Sequence, residues 1–154
     1  MRSRKTILAA VLLASLWTSF SGAAGGAEGT GFTLESAGGE RVSLRRFVGT
    51  KPVLLVFWAT WCPHCNAAVP AINEIQSRLS GRLQILAIDF MESREQVKAF
   101  MKAKGVTYPV LFDSDGTVAR SYRVAGIPTY VLLDKEGKIV YFDNILPPSV
   151  DKYL

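Results

Sequence analysis

The spacing of apolar positions changes several times along this chain, and each change marks an element. Residues 53–58, Val-Leu-Leu-Val-Phe-Trp, form an unbroken apolar run of strand length and predict a buried strand. Residues 67–79 continue at helical spacing, with Ala68, Ile72, Ile75 and Leu79 on one face. Pro63 sits where the first turn of that helix begins, Pro70 inside it predicts a kink, and Gly81 ends it. A second strand-length run covers residues 83–90. Ser93 with Gln96 is a capping-box signature for a helix through Lys104, whose buried stripe is Val97, Phe100 and Met101, and Gly105 stops it. Residues 108–112 read as extended, 113–116 as a turn and 117–122 as a short helix. Two strands, 130–133 and 138–142, joined by Asp134-Lys135-Glu136-Gly137, predict a hairpin. An earlier hairpin is predicted where residues 32–34 and 41–42 flank Ser36-Ala37-Gly38-Gly39. Residues 44–47 suggest a helical turn closed by Gly49, and Pro147-Pro148 a last short helix ending at Leu154. Strands alternating with helices make an α/β domain, and the hairpins make its sheet mixed.

The chemistry sits where the first buried strand hands over to the helix. Both cysteines of the chain, Cys62 and Cys65, fall there with Pro63 and His64 between them. Cys62 lies at the helix N-terminus, where unpaired N–H groups and the macrodipole stabilise an anion. A thiolate is such an anion, so the Cys62 pKa is expected below the free value of about 8.5. Cys65 follows one turn later, and residues three apart on a helix lie roughly 5–6 Å from each other, a separation that suits a disulfide. Zinc is a poor rival, because two cysteines and the single histidine, His64, fall short of four protein ligands. A stabilising staple is poor too. Closing a loop of about four residues contributes roughly 2 kcal/mol, against about 4.7 for a hundred-residue loop. The pattern points to a redox-active dithiol.

Charge changes the picture at the N-terminus. Arg2, Arg4 and Lys5 precede an uncharged apolar run, residues 7–17, followed by Ser21-Gly22-Ala23-Ala24. That is the pattern of a secretory signal peptide, residues 1–23, with the cut after Ala23 or as late as Ala27. The run is shorter than the ~20 residues a spanning helix requires. Removal would take three of 18 basic residues and none of the 13 acidic ones, lowering the net charge from +5 to +2. With only Arg45-Arg46 left as a basic pair, nucleic-acid binding has no support. Residues 24–30 read as a flexible glycine-rich lead-in, and 31–154 as one domain. Export favours persistent disulfides, so an exported dithiol must be kept reduced by a partner or act as an oxidant.

Residues 56–65, Val-Phe-Trp-Ala-Thr-Trp-Cys-Pro-His-Cys, resemble the active-site strand and helix of the thioredoxin superfamily. Pro70 matches the proline that kinks that helix, and Gly126-Ile127-Pro128-Thr129 is similar to its cis-proline loop. The segments 32–34, 42–44 and 47–49 resemble the N-terminal hairpin of the TlpA/ResA-like branch, and 124–140 its closing segment. The resemblance implies a thioredoxin-like mixed central sheet flanked by helices, with an N-terminal β-hairpin. It also implies Cys62 as exposed nucleophile, Cys65 as buried resolving thiol, a cis Pro128, and an Ile127 backbone offered to a substrate strand. Trp61 reads as part of an apolar rim for partner docking, whereas Trp58, Asp89 and Met91 read as structural.

Two departures from the family stand out. The acidic positions six residues before Cys62 and three after Cys65 are Val56 and Ala68. The other is Pro63-His64, which resembles the DsbA dipeptide. A histidine beside a thiolate lowers its pKa and stabilises the reduced form, making the disulfide more oxidising, as in DsbA at about −120 mV against about −270 mV for thioredoxin. DsbA also carries a large helical insertion, for which the stretch between Cys65 and Pro128 has no room.

The function expected is that of an exported, periplasmic thiol–disulfide oxidoreductase that uses no cofactor or metal. Its clients would be proteins with cysteines or disulfides, of the apocytochrome c or copper-site maturation type, and a membrane electron donor would re-reduce it. Copper(I) carriage by the two thiolates is the reading from another class, and a DsbA-like oxidant is the reverse direction of the first. A peroxidase requires a differently placed cysteine.

Overall fold

The computed structural model describes residues 29–154, so the expected signal peptide and most of the lead-in lie outside it. The described chain opens with an antiparallel pair, β1 (Thr33–Ser36) and β2 (Arg41–Ser43), whose turn includes Gly39 at φ +88°. Only glycine adopts that backbone without strain. A 3-10 turn over Leu44–Arg46 leads to β3 (Val53–Trp58), in which all six side chains are buried. There follow α1 (Pro63–Leu79), β4 (Gln84–Phe90), α2 (Arg94–Lys104), β5 (Val110–Asp113), α3 (Thr117–Ser121), β6 (Thr129–Leu133) and β7 (Ile139–Asp143).

The seven strands form one mixed sheet in the order β2-β1-β5-β4-β3-β6-β7. Strands β3, β4 and β5 run parallel, and β6 lies antiparallel against the other side of β3. Both faces of the sheet are covered, which is why β3 and β4 are apolar runs without alternation. On one face Leu54, Val56 and Trp58 of β3 meet Ile72, Ile75 and Leu79 of α1 and Val97 of α2. On the other, Val53, Leu55 and Phe57 meet Val118, Ala119 and Tyr122. Each fully buried Leu, Ile or Phe contributes about 1.5–3 kcal/mol, so a strand with all six side chains buried is firmly anchored.

Several local expectations shift. The buried stripe of α1 contains Val69, while Ala68 beside it is only half-buried. Ser93 caps α2 through its hydroxyl, which accepts from the Gln96 amide. The reciprocal half of the capping box is missing, because the Gln96 side chain is engaged elsewhere. The helix expected after Pro147-Pro148 is reduced to a 3-10 turn, Asp151–Tyr153. A proline disfavours helical backbone in the residue before it, so the pair delays the start of helical backbone. Gly29 and Thr30, assigned to the lead-in, are tied down. The Gly29 amide donates to the Gly137 carbonyl at 2.9 Å, and the Tyr122 hydroxyl to the Thr30 carbonyl at 2.8 Å.

Candidate active site

Strand β3 delivers the chain to one end of the sheet at Trp58, and the connection to α1 is only four residues long. Cys62 is the N-cap of α1, with extended backbone (φ −85°, ψ 113°), and Pro63 follows at the first helical position. Pro-fixed φ suits that position, and its missing N–H is one of the helix's unpaired donors in any case. The Cys62 sulfur takes the capping role usually filled by an oxygen, accepting from the Cys65 amide at 3.2 Å. Cys62 and Cys65 are joined as a disulfide, with their Cα atoms 5.2 Å apart. A Cys62 thiolate at this position would face the same amide, with the positive end of a 17-residue helix behind it.

The expected exposure of Cys62 is not observed: it is 4% exposed, the same as Cys65. Both sulfurs belong to the apolar cluster between the sheet and α1. The reason is tertiary. The Ile127–Pro128 bond is cis, and the loop containing it brings the Ile127 carbonyl oxygen to 3.7 Å from the Cys62 sulfur. That loop is held from behind by Asn144, whose amide donates to the Pro128 carbonyl at 2.7 Å and to the Thr129 hydroxyl at 3.0 Å. The Thr129 hydroxyl in turn donates to the Gly126 carbonyl at 2.6 Å. Sequence reading passed over Asn144, since nothing local relates it to a loop sixteen residues earlier.

The other predicted residues fall around this pair. Trp61 is 63% exposed and, with Phe90, Val124, Ala125, Gly126 and Ile127, lines a shallow depression of about 360 Å³ beside the dithiol. Trp58 is buried and packs on Phe100 with ring centroids 5.2 Å apart. His64 is exposed and makes no hydrogen bond among the described residues. Val56 and Ala68, the two positions at which the family resemblance implies acids, pack in or against the apolar cluster of the cysteines.

An acidic pair lies close by all the same, at the end of the neighbouring strand. Asp89 pairs in register with Trp58 and is 1% exposed, and burial pushes its carboxyl up to about 8, aided by the hydrogen bond and charge of Glu92. Its Oδ2 accepts from the Glu92 amide at 3.3 Å. The carboxylate of Glu92 accepts from the Thr60 amide at 2.6 Å and the Thr60 hydroxyl at 2.5 Å. Glu92 escaped the sequence reading. The one available signal was Asp89, an acid inside an otherwise apolar strand.

Comparison with known proteins agrees with this geometry. Residues 26–142 match the AhpC/TSA family. The chain belongs to that thioredoxin-like redox enzyme family. Two curated relatives from Bacillus subtilis are each 38% identical: the thioredoxin-like protein YneN over 117 residues, and the thiol–disulfide oxidoreductase ResA over 116. The matches cover 74% and 75% of this chain, and the chain spans 68% of YneN but only 64% of ResA. Among solved structures, a DsbE-type thiol:disulfide interchange protein from Chlorobium tepidum superposes with a TM-score of 0.74 at 29% identity, covering 80% of this chain and 87% of that one. As a member of the family, this chain has the central seven-stranded sheet and the Cys62–Cys65 disulfide at the strand-to-helix junction.

Proposed function

We propose that the chain is an exported thiol–disulfide oxidoreductase that reduces disulfides of secreted client proteins. The observation that carries this reading is the Cys62 sulfur, which caps α1, bonds to Cys65 and lies beside the Ile127 carbonyl. In the reduced enzyme the Cys62 thiolate attacks one sulfur of the client disulfide, and the other client sulfur leaves as a thiolate. Cys65 then loses its proton and attacks the Cys62 sulfur of the mixed disulfide. The Cys62–Cys65 bond forms, and the client departs with both sulfurs reduced. A client strand would pair with the Ile127 backbone and rest apolar side chains in the depression beside Trp61.

Export is supported by the charged, apolar and small-residue pattern of residues 1–23. Family resemblance supports clients of the apocytochrome c or copper-site type and a membrane donor that re-reduces Cys62–Cys65. The test is entrapment in the native envelope. Cys65→Ser should accumulate a mixed disulfide with clients, and Cys62→Ser should not. Trapping by the Cys62 variant alone would reverse the roles, and trapping by neither would refute the reading.

A further inference from the structure

Strand β4 ends in a turn that the chain makes at some cost. Met91, just past the strand, has φ +61°, a left-handed backbone that a methionine seldom adopts. Strained backbone persists where its surroundings hold it, and here they do: the Met91 amide donates to the Asp113 carbonyl at 3.3 Å, and the Glu92 amide to Asp89. The turn brings Glu92 against the loop that precedes Cys62. There both Glu92 oxygens are used on one residue, Oε2 on the Thr60 amide and Oε1 on its hydroxyl. Gln96 tightens the grip, donating from one amide nitrogen to the Thr60 hydroxyl at 2.9 Å and to Glu92 Oε1 at 2.8 Å. From the opposite side the Asn66 amide donates to the Thr60 carbonyl at 3.1 Å. Thr60 is thus held through its amide, hydroxyl and carbonyl by three side chains, from α1, from α2 and from the turn that follows β4. Two residues further on stands Cys62, whose own amide reaches back to the Ala59 carbonyl at 3.3 Å.

We propose that Glu92 is a positioning residue for the dithiol, clamping Thr60 so that the Cys62 sulfur stays over the Cys65 amide at the N-terminus of α1. The inference rests on the reading of Cys62 as the attacking thiol. It names a group that touches neither client nor sulfur and acts through the loop. Glu92 holds both the amide and the hydroxyl of Thr60, the second residue of the four-residue connection, and so sets how that connection delivers the sulfur to the helix axis. A merely structural carboxylate would affect folding stability alone. A clamp affects the thiolate.

Electrostatics and positioning predict opposite signs, and this separates them. Glu92 is an acid near a thiol, so removing its charge would on Coulombic grounds lower the pH at which Cys62 ionises. Loss of the clamp would raise it, because the thiolate loses its aligned amide. The experiment follows the rate of Cys62 alkylation by iodoacetamide from pH 4 to 9, using the reduced full chain with Glu92→Ala, Thr60→Val or Thr60→Ser. The midpoint should rise by about half a pH unit or more in Glu92→Ala, a roughly threefold loss of thiolate below the midpoint. Thr60→Val should move it the same way by less, and Thr60→Ser, which keeps the hydroxyl, should leave it at the wild-type value. An unchanged or lowered midpoint in Glu92→Ala would overturn the proposal, even if the variant melts earlier. Should Glu92→Ala fail to fold, an unchanged midpoint in Thr60→Val would overturn it equally. If wild-type Cys62 alkylates no faster than an ordinary thiol, the functional reading fails instead, and the two failures are distinguishable.

Discussion

At the scale of single residues, the site joins two side chains whose chemistry depends on their surroundings, His64 and Asp89. His64 is exposed on the first turn of α1 and makes no hydrogen bond among the described residues while the cysteines are joined. Any influence on the couple must therefore come from the reduced state, where a cation or donor favours the thiolate. His64→Pro should raise the Cys62 pKa and make the couple more reducing by about 30 mV, the equivalent of one modest charge-assisted contact. Equilibration with glutathione, followed by Trp61 fluorescence, checks this; a shift below about 10 mV would make His64 a bystander. Asp89 acts on stability. Its carboxyl is raised from 3.8 to about 8, so between those values the folded chain holds a proton that the unfolded chain has released. Stability from this group is therefore full below about pH 4 and falls as pH rises, by up to about 1.4 kcal/mol per unit, until pH 8 is passed. Asp89→Asn should flatten that slope. Urea unfolding of the oxidised chain at pH 5 and pH 8 will measure it, and equal slopes in the two proteins would exclude the effect.

At the scale of elements, α1 and α2 begin in different ways, and each start serves the site. Helix α1 is capped by a sulfur, an arrangement that gives the helix less than an oxygen would but leaves the cap free to react. Helix α2 has an ordinary serine cap and an acid, Glu95, in its first turn. Ser93→Ala should therefore lower stability by about 1 kcal/mol, read as a lower urea midpoint with unchanged slope. Gln96 belongs to α2 by sequence and to the active-site loop by contact. The capping-box pattern was legible, but its second half was diverted by a stronger opportunity, because the Thr60 hydroxyl and Glu92 carboxylate lie within reach. Local pattern cannot anticipate a partner 36 residues away.

At the scale of the whole molecule, the sheet is what brings the parts of the site together. The dithiol follows β3, the Ile127–Pro128 loop precedes β6, and the turn with Met91 and Glu92 follows β4. These are the two neighbours of β3, so three distant segments meet at one end of the sheet. The prediction at this scale concerns export. The mature N-terminus is expected between Ala24 and Glu28, and intact-mass analysis of an envelope fraction will test it, with retention of Arg2 counting against cleavage. Among the described residues Gly29 docks on Gly137 and Thr30 on Tyr122, so a cut between Ala24 and Glu28 would leave both contacts on the mature chain.

The sequence by itself determined most of the elements and the place of the paired cysteines at a helix start. Val53–Trp58 is apolar throughout because both its faces are covered, and period and length alone reveal such a strand. Cys62, Pro63 and Cys65 announce a capped helix start because their spacing is local and their backbone demands are specific. Tertiary structure decided the rest. It buried Cys62 beneath the Ile127 loop, braced that loop with Asn144, and placed Glu92 on Thr60. Each of those contacts joins residues far apart in the chain, and each is set by which strands lie side by side. Pattern along a sequence records what a residue needs, burial or solvent, helix or turn. Only the packed sheet fixes which neighbour supplies it.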